Sequence, residues 1–536
     1  MSLISLRRLA FACLATGAFA STRPLGAQDS LRAPTRQRSI AEDLQLFSQV
    51  LNQIRVNHPD SLETHALLMA AIEGMVNAAD PHSYVIPATR LDSAKEAAMY
   101  AGRLYPVPVS FQFVNGAPLV VAVAAGSRAA SLDILPGDEL VSVDGRPVSA
   151  AAAEELDLSL AGPKGSSATL MLRRRRPDGS IARLERAVMR ERTDDASAVP
   201  VAAMLDSATG YVRVTTFMGD KVADDLHNAL GKLEGSGMKR LVLDLRGNGG
   251  GRVDEAKRIA GEFLPRGAIV YTASGRKADV TDTGRVQRSF WRSERRYPIV
   301  VLVDNGTASA SELVAGALQD HDRALIVGRT TFGKSLLMRT FPLTDGSRMS
   351  LVVGSLRTPC GRVIQREYRS ESRRAYYRDA GQIDESPNRP SCRTDAGRTV
   401  YGGGGVVPDV VLPELESPSW LARAGERGLL LTWAGGFSSK PNPSMASVDA
   451  LAANMTLDAA ALADFRAYAN TNGVSIPSDA TADATLARAL VRTIAFVRFG
   501  DPGYYRLIAL TDPAVRAAVD AFARASQLTG PSGSPD

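Results

Sequence analysis

The chain has 536 residues, material for about three or four domains with large cores. Hydrophobic residues make up 45% and charged residues 22%, an ordinary soluble balance that excludes a mainly disordered chain. The net charge of +6 falls to +3 without residues 1–27, which carry Arg7, Arg8 and Arg23 and no acid, and no long basic stripe with interleaved aromatics follows, so nucleic acid is excluded as a partner.

Residues 1–27 read as a secretory signal: Arg7-Arg8, an apolar run from Leu9 to Ala20, then small residues. The run is too short for an ordinary membrane-spanning helix. Cleavage after Ala27 is preferred to cleavage after Ala20, which makes the mature protein exported, periplasmic or extracellular. A helical region, 39–100, comes next. Ser39 and Glu42 have capping-box spacing, and Leu44, Phe47, Leu51 and Ile54 form a stripe. A second helix, carrying Leu67, Ala71, Ile72 and Met75, stops at Asp80-Pro81. His82 reads as structural, because no second metal-type residue stands nearby.

Residues 101–190 change texture. VPVSFQFV and LVVAVA flank Asn115-Gly116, a hairpin signal. A short helix, LPGDEL, a strand and a DG turn follow, and the stretch resembles a PDZ domain, a fold that binds peptides by strand addition. At the position of a Gly-rich carboxylate loop stands Leu104-Tyr105-Pro106-Val107-Pro108, whose two prolines remove two N–H donors. The run Arg173 to Arg176 reads as a solvated strand end. A polar linker, 191–200, leads to a core spanning 201–413.

In that core GYVRVTTF, RLVLDL and AIVYTAS are strands, with helices at Lys221–Leu233 and Val253–Phe263 between them, so the fold class is α/β. The glycines of RGNGGGR allow close backbone approach; GxGxxG is absent, so this is no dinucleotide site. Ile299 to Val303 is a buried strand, Ser309 to Asp320 a helix, and Ala324 to Val327 a second strand. Lys334 follows on a loop 25 residues after Ser309, the span of one strand-helix-strand unit. Ser309 alone is an ordinary helix cap, since Ser309 and Glu312 have capping-box form. With a helix N-terminus to stabilise an oxyanion, and a lysine among Phe332, Leu336 and Leu337 able to lose its proton, it is also a candidate nucleophile. Asp320 lies close to three turns further on the same face, either orienting groups around the site or capping the helix end in solvent. GRTTFGKS matches the P-loop pattern, but Pro342 and Asp345-Gly346 leave no room for the helix a P-loop opens.

Residues 414–528 carry helical runs at Leu457–Ala469, Ala484–Phe499 and Pro513–Gln527, and 529–536 read as a disordered tail. With the leader removed, Cys360 and Cys392 are the only cysteines; they bracket a polar excursion, Arg366 to Thr399, and are expected to pair in an oxidising compartment, against the alternative of two small unpaired hydrophobes.

AIEGMVNAADPHSYVIP, LVLDLRGNGGG, NGTASASELVAGALQDHDRALIVGRTTFGKS, SLRTPCGRVIQ and YGGGGVVPDVVLP together resemble the carboxyl-terminal processing peptidases, tail-specific serine proteases with a Ser–Lys dyad. The resemblance covers nearly all of residues 40–528. It implies a ClpP/crotonase-like peptidase core with an inserted PDZ domain and helical terminal regions. It makes Ser309 the nucleophile and Lys334 the general base, and leaves Asp320 as the candidate support read from helix spacing above. It puts one oxyanion donor at Gly249 or Gly250 and the other at Ala310. Polypeptides with unstructured C-terminal segments become the substrates, no metal, cofactor or nucleotide is called for, and a homo-oligomer stays open. One departure stands out: relatives place a glutamine four residues after the lysine, and this chain has Met338, which cannot orient an amine. That leaves a weakly catalytic PDZ scaffold of the same fold as an alternative, with a nucleotide hydrolase as a remote third.

Overall fold

Five-residue runs such as Ile299–Val303 are apolar throughout because both faces of the strand they form are covered. The computed structural model describes residues 39–528 except 87–92, 102, 115, 125–126, 151–152, 176–179, 192–196, 288–293, 369–375, 378–388, 414–416 and 439–444. The expected leader and tail therefore lie outside the described residues.

Helix α1, Ile40–Asn57, starts at the expected capping box: Ser39 Oγ accepts the Glu42 N–H, and the Glu42 carboxylate accepts the Ser39 N–H at 2.7 Å. Helix α2, Thr64–Ala79, opens where the Glu63 carboxylate accepts the N–H groups of His65 and Ala66. Asp80 ends it in a tight turn, taking the N–H of His82 and of Ser83 and the Ser83 hydroxyl. Strand β1, Tyr84–Ile86, then pairs antiparallel with a strand far along the chain, Tyr84 opposite Ser350. Helix α3 is Ser93–Tyr100.

Strands β2 (Val109–Val114), β3 (Ala117–Val123), β4 (Glu139–Val143), β5 (Arg146–Pro147), β6 (Ser167–Arg175) and β7 (Ile181–Met189) form one antiparallel sheet, with β5 paired only to β4. With helix α4, Ala153–Leu160, they enclose a core of their own that includes Val120, Leu140, Leu156 and Leu170. Tyr105 pairs with Gly162, donating and accepting at 2.8 and 3.1 Å, so the proline-bearing segment is bound into this unit. Arg173, Arg174 and Arg175 are not a free basic end. Arg173 pairs with Glu139, Arg174 with Asp138 and Asp133, and Arg175 lies over the Tyr468 ring in the C-terminal helices.

The central sheet has the order β19-β14-β13-β10-β9-β8, built from β8 (Val201–Met204), β9 (Thr209–Arg213), β10 (Arg240–Asp244), β13 (Ile299–Val303), β14 (Leu325–Gly328) and β19 (Val410–Val411). All neighbours run parallel except the edge pair β8/β9. Ile299, Val301 and Val303 face helices α5 (Val222–Gly235), α6 (Val253–Ala260) and α7 (Ala310–Asp320). Val300 and Leu302 face the other way and meet Val515, Ala518 and Phe522 of helices Pro513–Asp520 and Phe522–Leu528. The chain's last helices thus complete the central layer, each buried Val or Leu adding roughly 1.5–3 kcal/mol. The remaining C-terminal helices hold a separate core around Trp433, Phe465 and Leu490.

A second sheet, β1-β16-β11-β12 with β15 added to β16, contains β11 (Ile269–Gly275), β12 (Asp282–Arg285), β15 (Leu336–Pro342) and β16 (Arg348–Arg357). A small hairpin, β17 (Ser391–Arg393) with β18 (Thr399–Tyr401), closes the polar excursion, and Cys360 is bonded to Cys392 at its base.

Candidate active site

Three loops at the C-terminal ends of adjacent parallel strands meet at one place. After β10, Asn248 ties the first loop to the second: its carbonyl accepts the Ala308 N–H and the Ser311 hydroxyl, both at 3.0 Å. Thr307 reaches back, donating its hydroxyl to the Leu245 carbonyl at 2.9 Å. The Thr307 carbonyl in turn accepts the Phe332 N–H at 2.9 Å, which joins the second loop to the third, the one carrying Lys334.

Ser309 is half-buried at the start of α7, with φ of 56° and ψ of −117°. A non-glycine residue held at positive φ is strained, and such strain concentrates at functional positions. Gly250, at φ +94°, packs directly against it: a Cβ there would lie 2.8 Å from both Ser309 Cβ and Ala310 N. Glycine is therefore required where the two loops touch. The two glycines expected near an oxyanion differ. Gly250 donates its N–H to Asn248 Oδ1 at 2.9 Å, whereas Gly249 is exposed. Among the described residues nothing accepts from the N–H of Gly249 or of Ala310.

Glu312, one turn into α7, is fully buried. Its carboxylate accepts the N–H groups of Ser309, Gly333 and Lys334, each at 2.8 Å, and the Thr331 hydroxyl. It thereby binds the backbone of the serine to the backbone of the lysine. Burial pushes its carboxyl up to about 7, against the pull of those four donors. The Lys334 amine is pushed below its ordinary range by burial, while Glu312 and Asp80 pull it back up. Sequence reasoning saw Glu312 only as a capping residue and gave Asp80 no part, because an SxxE cap looks alike on any helix and the Asp80 turn arrives by long-range strand pairing.

The P-loop reading does not survive. Residues after Ser335 form strand β15, not a helix, and the Gly333 and Lys334 N–H groups that would cradle a phosphate are taken by Glu312. Asp320 stands apart from the other expected residues. It is buried at the far end of α7, about 16 Å along the helix from Ser309. Its carboxylate pairs with Arg362 at 2.8 Å and accepts the Cys360 N–H, so it neither faces solvent nor touches the serine. His321, after it, bonds Asp395 and the Ile269 carbonyl. His82 sits buried between the hydroxyls of Tyr376 and Tyr377. Asp244, at the end of β10, is held down at about 2: its burial is outweighed by Arg246 and Arg213.

The sequence profile of peptidase family S41 matches residues 208–369, the segment that contains all three loops. A carboxy-terminal-processing protease of Bartonella bacilliformis is 29% identical over 354 residues, 65% of this chain and 78% of that protein. The chain carries a peptidase family S41 domain and is similar to the carboxyl-terminal processing peptidases. They are serine peptidases, and polypeptides are the substrates of the peptidase described here. A carboxyl-terminal-processing protease of Synechocystis is 35% identical over 245 residues, 45% of this chain and 55% of that protein. A chloroplastic carboxyl-terminal-processing peptidase 2 of Arabidopsis thaliana is 34% identical over 244 residues, 45% of this chain and 46% of that protein. The peptidase thus spans about half the length of these two relatives. Among solved structures, a photosystem II D1 C-terminal processing protease covers 72% of the chain and 92% of its own, at 24% identity and a TM-score of 0.35.

Proposed function

We propose that the peptidase is an exported endopeptidase that cuts proteins within loose C-terminal segments, with Ser309 as nucleophile and Lys334 as general base. The observation that carries this reading is the Glu312 carboxylate, which binds the Ser309, Gly333 and Lys334 backbones to one buried point. Lys334, its amine favoured in the neutral form by burial, takes the Ser309 proton as Oγ attacks the carbonyl. The Ala310 N–H and the Gly249 N–H, or that of Gly250 once released from Asn248, hold the oxyanion at the head of α7. Lys334 then protonates the leaving amine, and water repeats the sequence on the acyl-enzyme. Residues 101–190 serve as a PDZ domain presenting the substrate, and the leader, 1–27, directs export.

The test is hydrolysis of a disordered polypeptide such as casein by wild type beside Ser309→Ala and Lys334→Ala. Each variant is expected to lose activity on the order of 10⁴-fold or more. Wild type without activity on any unfolded polypeptide would favour the scaffold reading, and retained activity in Ser309→Ala would remove Ser309 from the mechanism.

A further inference from the structure

The loop bearing Lys334 is gripped from a second side. The Ser335 N–H donates to Gln365 Oε1, and the Gly333 carbonyl accepts the Arg366 N–H, both at 3.0 Å. Both gripping residues are in turn held by Tyr376, from the excursion bracketed by Cys360 and Cys392. Its hydroxyl accepts from Gln365 Nε2 at 3.0 Å. Its ring lies 4.2 Å from the Arg366 guanidinium, and its backbone carbonyl accepts from the same group. It also packs edge-on against Phe332, with ring centroids 5.7 Å apart. Residues 332, 333 and 335, on both sides of Lys334, thus each meet Tyr376 or a residue whose side chain Tyr376 holds.

The proton order in this network follows from its ends. A backbone N–H can only donate, so Ser335 requires the Gln365 oxygen, and Gln365 Nε2 must face Tyr376 as donor; it also donates to the Arg366 carbonyl at 2.9 Å. Tyr376 then donates its own proton to His82 Nε2, 3.0 Å away, and His82 Nδ1 donates to the Tyr377 hydroxyl at 3.1 Å. Tyr376 is fully buried, and burial pushes its hydroxyl up to about 12, so it keeps that proton throughout the working range.

We propose that Tyr376 is a positioning residue of this peptidase: the disulfide-bracketed excursion delivers its hydroxyl and ring to lock Gln365 and Arg366, which set the backbone on both sides of Lys334. This rests on Lys334 being the general base. Tyr376 touches neither substrate nor reacting atoms in this role; it acts through the loop. Met338, an apolar side chain on β15, leaves the task of holding the lysine's surroundings to groups from elsewhere in the chain.

The test compares full-length wild type with Tyr376→Phe, which keeps the ring and removes the hydroxyl, reading kcat, KM and the pH of half-maximal activity on a peptide substrate. The expected result is a kcat about tenfold lower with KM changed by less than about twofold. The half-maximal pH should rise by about half a unit or more, because a looser loop lets water reach Lys334 and relieves its desolvation. Gln365→Met, which cuts the tie to Ser335 directly, should move the same quantities in the same sense, and decides the matter if Tyr376→Phe does not fold. A lowered kcat with an unmoved half-maximal pH would overturn the proposal, since a merely structural tyrosine changes only the amount of working enzyme. Wild-type values in both variants would overturn it too. Lys334→Ala with wild-type activity would instead remove the dyad on which it rests, a separate failure read from a separate variant.

Discussion

Helix α7 buries two carboxylates, and their surroundings are opposite. Glu312, at its head, is bonded by three backbone N–H groups and a hydroxyl, and among the described residues no cation pairs with it. Asp320, at its foot, meets the Arg362 guanidinium, with both side chains 1% exposed, beside a chain of further pairs, Asp322–Arg398 and Arg398–Asp409. The same residue class on one helix is thus put to two uses. At the foot, charge meets charge and braces the excursion and hairpin against the helix. At the head, a carboxylate that forms no ion pair among the described residues joins the Ser309 and Lys334 backbones and keeps its own proton near neutrality.

The largest effect is expected at the foot. Asp320→Ala leaves Arg362 buried and unpaired, and should destabilise the fold by about 3–5 kcal/mol. Denaturant unfolding checks this, and the remaining folded enzyme should keep the wild-type pH dependence. A stability within about 0.5 kcal/mol of wild type would mean that the pair does not brace the helix.

At the head, Glu312→Gln should cost activity rather than mainly stability. Glu312 Oε1 and Oε2 each accept two donors, and an amide NH₂ in place of either oxygen faces N–H or O–H groups it cannot accept from. A kcat loss on the order of 100-fold is expected, the cost of about two unsatisfied buried donors. The same variant tests a stability slope. The Glu312 carboxyl is held at about 7 when folded, against an ordinary 4.5. Between those values the folded chain keeps a proton that the unfolded chain has released, so stability falls as pH rises through that window and levels off above it. Unfolding measured from pH 4 to pH 8 should show this decline in wild type and lose it in Glu312→Gln.

The strand-helix-strand around Ser309, the absence of a helix after Lys334 and the Ser39 cap were legible in the sequence because each is local: period, turn residues and cap spacing all lie within a few residues. What was not legible depends on distant partners. Arg173 to Arg175 read as solvated because their acceptors, Glu139, Asp133, Asp138 and the Tyr468 ring, come from other elements. The helical run expected to stop at Phe499 does end there: Gly500, with φ +63° and ψ −165°, is not helical, and a further helix runs on to Thr511. Asp320 lies a full helix length from Ser309, and its pairing with Arg362, which the sequence did not reveal, decides its role.

The smallest effect concerns residues 101–190. Pro106 and Pro108 lack N–H groups, while Tyr105 spends its own on Gly162. A groove of about 690 Å³ is lined by Val143, Pro147, Val148 and Leu156 together with the charged Lys95, Asp144, Arg146 and Glu155. Peptides with free and amidated C-termini should therefore bind with affinities within about threefold of each other, checked by titration calorimetry; a preference above about tenfold, or roughly 1.4 kcal/mol, would show that other N–H groups capture the carboxylate.

The dyad itself is tested most directly by peptide hydrolysis measured against pH for wild type, Lys334→Ala and Lys334→Arg. Burial favours the neutral amine of Lys334, so wild-type activity should rise with pH as the amine loses its proton. Arginine keeps the charge and cannot release it in the working range, so Lys334→Arg should be as inactive as Lys334→Ala at every pH. A Lys334→Arg enzyme with most of the wild-type rate would contradict the account, because a permanent cation cannot take the Ser309 proton.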